Sequence, residues 1–432
     1  MRMKLKLLFL FLFSCGTCVD AFTPTEWEAV APEIVAKPVF SQGETGLKIE
    51  LTTENSVGSW GGFVPVKEKT GCRITAEAVV EGLENANAGN DCMILASWFE
   101  PGKTNPQQRD YVEFTDREDG VRVFDQTFRV PDGCDRLRLE LVFKWRKAAA
   151  TFRNVQASET VPPAPRLVRI VAANAWNDPS GTLEGNRRAM EETLQNIFRN
   201  VGKTDLILFS ECFVDANVKA SYPEKSEPVP GGPTFELLSR YAREHQTWIC
   251  ANVHEVTPEN VIHNTSFLID REGKLAGVYR KVHLSTSEAM KGVIPGGELP
   301  VFETDFGKVG IVICWDNWFS ETAKLLRLKG AEILLFPLAG DGKESHWSKI
   351  WSARAIDSSV PLVVSTQQSH LPSVIVDRDG EWLAKTTDQN GFAFKELDLN
   401  ERKRSFWLSV GPSFGDPYQL YKMERRPEVY EK

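Results

Sequence analysis

The chain has 432 residues, of which 42% are hydrophobic and 25% charged, and its formal net charge is −8. This length exceeds one ordinary domain and the composition is that of soluble globular proteins, so we expect two domains. An acidic chain without a basic run is a poor candidate for nucleic-acid binding.

The N-terminus has the pattern of a secretory signal. Three basic residues lie within the first six, and the apolar run 7–13 that follows is too short to cross a bilayer. Small residues at 19–21 predict cleavage that removes residues 1–21. As an alternative, residues 12–15 loosely resemble a lipoprotein box in which Cys15 would be acylated. We therefore expect an exported protein, periplasmic or secreted.

Cysteine usage sets expectations about bridges and metals. Because export permits disulfides, a bridge between two of the three cysteines in the first half is plausible. The mature sequence holds no CxxC motif and no local Cys/His cluster, so we do not expect a structural zinc site. The six cysteines that remain after cleavage are Cys72, Cys92, Cys134, Cys212, Cys250 and Cys314.

Residues 22–160 have the texture of an all-β domain. Apolar residues alternate with polar ones over 137–145, which is the period of a half-solvated strand. Similar runs are separated by clusters of Gly, Asn, Asp and Pro. The pattern predicts a β-sandwich of about eight strands, jelly-roll-like in architecture.

Residues 161–166 contain three prolines and predict a stiff linker, after which strands alternate with helices over 167–432. Continuous apolar runs such as 206–209 indicate strands buried on both faces. This region is therefore predicted to be a layered α/β domain. The predicted strands are 167–173, 205–210, 247–253, 265–269, 275–281, 309–314, 333–336 and 362–365, and the predicted helices are 183–200, 234–245, 319–330 and 345–358.

Three reactive side chains lie at the C-terminal ends of predicted strands of this second domain: Glu211, Lys281 and Cys314. Strand ends are where α/β sheets collect reacting groups. A thiol near pKa 8.5 needs a base, which Glu211 can supply. The negative charge that develops on the attacked group would be stabilised by the Lys281 ammonium and the backbone N–H of Trp315.

The segments around these residues resemble the nitrilase, or carbon-nitrogen hydrolase, superfamily. The segments 206–211, 279–284 and 310–321 look like its three catalytic motifs in order and spacing, and the likeness covers 167–428. The resemblance implies an αββα sandwich that forms a homodimer or higher homo-oligomer, a Glu-Lys-Cys triad and no cofactor. It also implies that Glu288 positions the substrate and assists proton transfer, although Glu288 could equally belong to an exposed turn.

The leading hypothesis is a hydrolase that cleaves a small linear amide or N-carbamoyl compound through a thioester on Cys314. Nitrile hydrolysis and acyl transfer to an amine are alternatives for the same site. A papain-like pair of Cys314 and His346 is another. His283 is expected to be a hydrogen-bonded neighbour of the site, and Cys212 a core residue that points away from it.

A different class of function is also open. The chain could be a glycan-binding surface protein with a degenerate catalytic domain, since aromatic residues on a β-sandwich can contact carbohydrate. The candidates are Trp60, Trp98 and Trp145, although aromatic residues in sandwiches more often belong to the core.

Overall fold

A computed structural model describes residues 21–33, 35–83, 89–340, 344–367, 371–387 and 391–430. The predicted signal segment up to residue 20, including Cys15, lies outside these residues. Among the described helices, none is long and apolar enough to cross a membrane.

Over the described residues, the region before the prolines is all β apart from one 3-10 turn. Its strands are β1 (Ala21–Phe22), β2 (Glu28–Val30), β3 (Val39–Gly43), β4 (Gly46–Glu50), β5 (Val57–Pro65), β6 (Gly71–Glu81), β7 (Cys92–Phe99), β8 (Gln108–Tyr111), β9 (Phe114–Asp116), β10 (Val121–Arg129), β11 (Arg136–Lys144) and β12 (Ala149–Thr160). In the described residues one sheet has the order β3-β4-β12-β6-β10-β9, and the other contains β2-β5-β11-β7-β8.

The two sheets share one hydrophobic core, and β11 shows why. Leu137, Leu139, Leu141 and Phe143 are fully buried, whereas the residues that alternate with them are partly exposed. The predicted period is therefore present up to Lys144. Trp145 departs from the prediction: it follows the strand with φ 59°, and its side chain is 45% exposed.

The sandwich has more strands than predicted. Twelve strands are present in the described residues up to 160, where about eight were expected. The glycines of β5 obscured its pattern, because glycine has a low strand propensity. At Gly61 the reason for glycine is steric, since a Cβ there would lie 2.4 Å from Nη2 of Arg138 on the neighbouring strand.

The described residues contradict a disulfide in this region and glycan contact through Trp60 or Trp98, and they confirm for these two tryptophans the core position expected of most aromatic residues in a sandwich. Trp60 and Trp98 are 6% and 0% exposed, so they are core residues and cannot stack on a glycan; Trp145 alone of the three remains accessible. The described cysteines are all free. Cys72 on β6 lies opposite Phe128 and Cys92 on β7 opposite Phe143, so strand register gives neither a cysteine neighbour.

The elements after the prolines alternate as predicted. The strands are β13 (Leu167–Ala173), β14 (Leu206–Leu208), β15 (Trp248–Val256), β16 (Ile262–Ile269), β17 (Leu275–Arg280), β18 (Val301–Glu303), β19 (Lys308–Ile311), β20 (Ile333–Leu338), β21 (Leu362–Thr366), β22 (Val374–Val376), β23 (Trp382–Lys385), β24 (Phe392–Asp398), β25 (Ser405–Phe406) and β26 (Phe414–Gly415). The helices are α1 (Leu183–Val201), α2 (Tyr222–Lys225), α3 (Pro233–His245), α4 (Thr286–Ala289), α5 (Ser320–Leu328), α6 (Glu344–Ser358), α7 (Pro417–Met423) and α8 (Pro427–Tyr430).

Contacts divide the described chain into two compact units. The first contains the residues up to Pro163 with Phe406–Gly415 and the residues from Arg426, and the second contains Ala164–Ser405 with Asp416–Arg425. Within the first unit β26 pairs with β8. A single domain over 167–432 was expected, whereas the structure groups two C-terminal segments with the first unit. The domain limits themselves stay predictions.

The second unit is a four-layer sandwich. Its two sheets have the orders β17-β16-β15-β14-β13-β24 and β18-β19-β20-β21-β22-β23. On β14, Leu206 and Leu208 face the core between the sheets while Ile207 faces α1 and α3. Helices α5 and α6 cover the other sheet. Burial on both faces explains the continuous apolar runs, and the predicted αββα fold is confirmed.

Candidate active site

Strand direction brings the predicted residues together. Glu211 follows β14 and Lys281 follows β17, and because these strands run the same way within one sheet, both residues lie at the same edge. Cys314 follows β19 of the facing sheet and begins a 3-10 turn, Cys314–Trp318. The same cavity of about 460 Å³ is lined by Glu211, Lys281, Glu288, Cys314 and Trp315.

Lys281 is the centre of a buried charge network. Its Nζ donates to Oε1 of Glu211 at 2.8 Å and to Oε2 of Glu288 at 3.0 Å. The three residues are 2%, 3% and 9% exposed. Two carboxylates beside one ammonium compensate the desolvation that an isolated buried charge would suffer.

Asn264 on β16 was missed by the sequence analysis, although it links the two carboxylates. Its side-chain amide donates to Oε1 of Glu211 at 2.9 Å and to Oε1 of Glu288 at 2.7 Å. The backbone N–H of Ala339 donates to Oε2 of Glu211 at 2.9 Å. A sequence signal existed, because residues 263–266 are four consecutive polar side chains in a strand that is otherwise apolar.

The network controls protonation of its members. Burial alone would lower the pKa of Lys281, but Glu211, Cys314 and Glu288 raise it well above its usual value, so the ammonium persists. For Glu288, burial acts to raise the pKa, yet Lys281, Asn264 and the backbone N–H of Ser285 hold it below its usual value. The site therefore keeps a fixed positive charge beside an ionised Glu288.

Cys314 occupies a strained backbone position. Its φ of 43° lies in the left-handed region, which costs a residue with a Cβ about 1–2 kcal/mol. Burial raises the pKa of its thiol well above the ordinary value, and the hydrogen-bonded Glu211 carboxylate raises it further, while Lys281 opposes this. Cys314 and Glu211 line the same cavity, where the carboxylate is placed to accept the thiol proton.

Asp316 ties the cysteine turn to the strand end that carries Lys281. One carboxylate oxygen accepts from the Tyr279 hydroxyl at 2.6 Å and from the backbone N–H of Ile313 at 3.0 Å. The other accepts from the backbone N–H of His283 at 2.8 Å. The His283 ring also lies 2.9 Å from Asp316, so the expectation of a hydrogen-bonded neighbour fits the structure.

Of two further predicted residues, Trp315 lines the cavity and His346 does not. Trp315 is 38% exposed and lines the cavity beside Cys314. His346 is exposed and packs edge-on against Trp318, and it is absent from the described lining of the cavity. The geometry does not favour the alternative Cys314–His346 pair.

The expectation that Cys212 points away from the site is wrong. β14 ends at Leu208, and residues 211–212 lie in a turn where Cys212 has φ 49°, so strand alternation no longer applies. Cys212 lines the same cavity as Glu211. Its backbone N–H donates to Oδ1 of Asn252 at 2.8 Å, which holds the turn against β15.

Comparison with known proteins agrees with this fold and arrangement. The sequence profile of the carbon-nitrogen hydrolase family matches residues 167–404. The chain therefore belongs to the carbon-nitrogen hydrolase family, and it is an amidase-type enzyme of the nitrilase superfamily.

Particular relatives cover the same region. A probable nitrilase of Schizosaccharomyces pombe is 32% identical over 257 residues, covering 57% of this chain and 92% of the relative. An N-carbamoylputrescine amidase of Solanum lycopersicum is 33% identical over 49% of this chain and 76% of its own length. Among solved structures, an amidase from Nesterenkonia sp. AN1 in complex with acrylamide has a TM-score of 0.52 at 19% identity, covering 63% of this chain and 98% of that one, which is a likeness in fold.

Proposed function

We propose that this protein hydrolyses a small linear amide or N-carbamoyl compound, with Glu211, Lys281 and Cys314 as its catalytic residues. The observation that carries the proposal is that the Glu211 carboxylate accepts a hydrogen bond from the Lys281 ammonium and lines one cavity together with the Cys314 thiol. The names of the relatives, an N-carbamoylputrescine amidase and a probable nitrilase among them, support a reaction at a carbon–nitrogen bond.

The first half-reaction forms a thioester. Glu211 accepts the thiol proton as the Cys314 sulfur adds to the carbonyl carbon, and the carbonyl electron pair moves onto oxygen. The Lys281 ammonium and the backbone N–H of Trp315 stabilise that oxyanion. The carbon–nitrogen bond then breaks, and the nitrogen takes the proton from Glu211 and leaves as ammonia or an amine.

The second half-reaction releases the acid. Glu211 removes a proton from water, the resulting hydroxide adds to the thioester carbon, and the carbon–sulfur bond breaks. The proton held by Glu211 returns to the Cys314 sulfur. Glu288, which is held beside Lys281, keeps the ammonium in place through both halves and orients the substrate amide.

The test is ammonia release from a panel of linear amides, N-carbamoyl amino acids, N-carbamoyl amines and nitriles. We expect turnover of an amide or carbamoyl compound that Cys314→Ala abolishes. Cys250→Ala is the matched control, because this cysteine is fully buried in the core between the sheets and should leave turnover intact. Turnover that survives Cys314→Ala would contradict the proposal.

Lys281→Ala separates this site from a cysteine–histidine enzyme. The proposal expects loss of turnover, because the oxyanion then lacks its cation, whereas a Cys314–His346 pair would tolerate the change. A panel in which nitriles alone are converted would replace the amidase by the nitrilase alternative. Export of the chain and its assembly into a homodimer stay predictions.

A further inference from the structure

A second cluster of reactive side chains lies on the wall of the same cavity. The Cys212 sulfur is 3.8 Å from Nδ1 and 3.9 Å from Nε2 of His254, and Oδ2 of Asp215 is 2.5 Å from Nδ1 of the same ring. One sulfur, one nitrogen and one carboxylate oxygen all lie within 4.8 Å of one another. None of these residues takes part in the proposed hydrolysis.

The cluster contains an unsatisfied polar atom. Asp215 is 5% exposed, and its Oδ1 is buried without a hydrogen-bond partner in the described part of the chain. Leaving a buried acceptor unpaired costs free energy, so such an atom calls for a bound ion or water. A carboxylate that has an unpaired oxygen and that clusters with a thiol and an imidazole favours an ion.

We propose that Cys212, Asp215 and His254 bind a divalent transition metal ion of the zinc class. Thiolate, imidazole and carboxylate are the ligands that zinc takes in proteins, and three of them leave a fourth position of a tetrahedron open. Binding replaces the thiol proton of Cys212, which leaves to solvent. The fourth position is open to water or to a substrate group, because all three residues line the cavity.

One neighbour of the cluster favours metal binding and another opposes it. The Tyr222 ring packs against the His254 ring with centroids 4.4 Å apart, which limits the orientations of the imidazole. Lys225 Nζ lies 3.4 Å from Oδ2 of Asp215, and its positive charge disfavours a second cation. Removing the Lys225 charge should therefore strengthen metal binding. If the cluster only supported the fold, the same change would produce no affinity for a metal ion.

The experiment is a Co²⁺ titration of the full-length protein after metal removal, followed by absorption, with Zn²⁺ as competitor. We expect visible absorption bands and a thiolate-to-cobalt charge-transfer band that saturate at one equivalent of Co²⁺. Both should disappear when Zn²⁺ displaces the bound Co²⁺. Cys212→Ser should abolish the charge-transfer band, and Asp215→Asn should weaken binding. The exposed His346→Gln serves as the histidine control and should change neither.

Lys225→Met keeps all three ligands and is the second arm, with affinity expected to rise about tenfold or more. Absence of cobalt bands in the folded wild-type protein would overturn the proposal. So would a charge-transfer band that persists in Cys212→Ser and disappears in Cys314→Ser, since the metal would then be on the other thiol. The readout is independent of turnover, so failure of the proposed hydrolysis leaves this test intact.

Discussion

Replacing Asn264 by alanine is the sharpest test of the buried charge network. The asparagine donates to two carboxylates at 2.9 and 2.7 Å and is 1% exposed. A hydrogen bond to a charged group contributes about 1.5–3 kcal/mol, so Asn264→Ala should lower the free energy of unfolding by about 3–6 kcal/mol. Equilibrium urea unfolding measures this loss. The exposed Asn200→Ala is the control, with an expected change within about 0.5 kcal/mol.

The pH dependence of that loss identifies its cause. The pKa of Glu288 is lowered in the folded protein, so ionisation of this carboxyl group stabilises the fold. This stabilisation is fully present above the unfolded pKa, about 4.3, and it is lost as pH falls through the folded pKa. Without the Asn264 amide the folded pKa rises. The difference between wild type and variant should therefore be largest near neutral pH and shrink below about pH 4. A loss under about 1 kcal/mol, or one independent of pH, would refute the reasoning.

Three further predictions concern the backbone and its supports. Cys314→Gly should abolish turnover yet leave the protein more stable than Cys314→Ala does, because glycine adopts the left-handed conformation without strain. Urea unfolding in which the glycine variant is the less stable of the two would contradict this. Tyr279→Phe should cost about 1.5–3 kcal/mol in the same assay, because buried Asp316 loses a charge-assisted hydrogen bond; a neutral change would show that the hydroxyl is dispensable. Thr182→Ala should cost about 1 kcal/mol, because the Gly185 N–H at the start of α1 loses its cap, and Thr182→Ser should restore stability.

Much of the second unit could be predicted from local patterns. The helix predicted at 183–200 is observed at Leu183–Val201, and the strand predicted at 275–281 at Leu275–Arg280. Apolar periodicity determines such elements because each must bury its own apolar face. The strands and the motifs at their ends were sufficient to predict that Glu211, Lys281 and Cys314 lie at strand ends of the second unit.

Two predictions were wrong because they continued the alternation of a strand past the residue at which the strand ends. Cys212 was placed in the core by strand alternation, but the strand ends before it and the turn directs it to the cavity. Trp145 was included in the alternating run 137–145, but it follows β11 with a left-handed φ.

The sequence by itself determined the elements, the family and the three reactive positions, because periodicity and motifs are properties of adjacent residues. Tertiary structure alone decided the partners of those positions. Asn264 is 53 residues from Glu211, and His254 is 42 residues from Cys212, so neither pair is visible as a local pattern. Their meeting depends on strand register and on one turn, and a shift of a single residue in either would redirect these side chains.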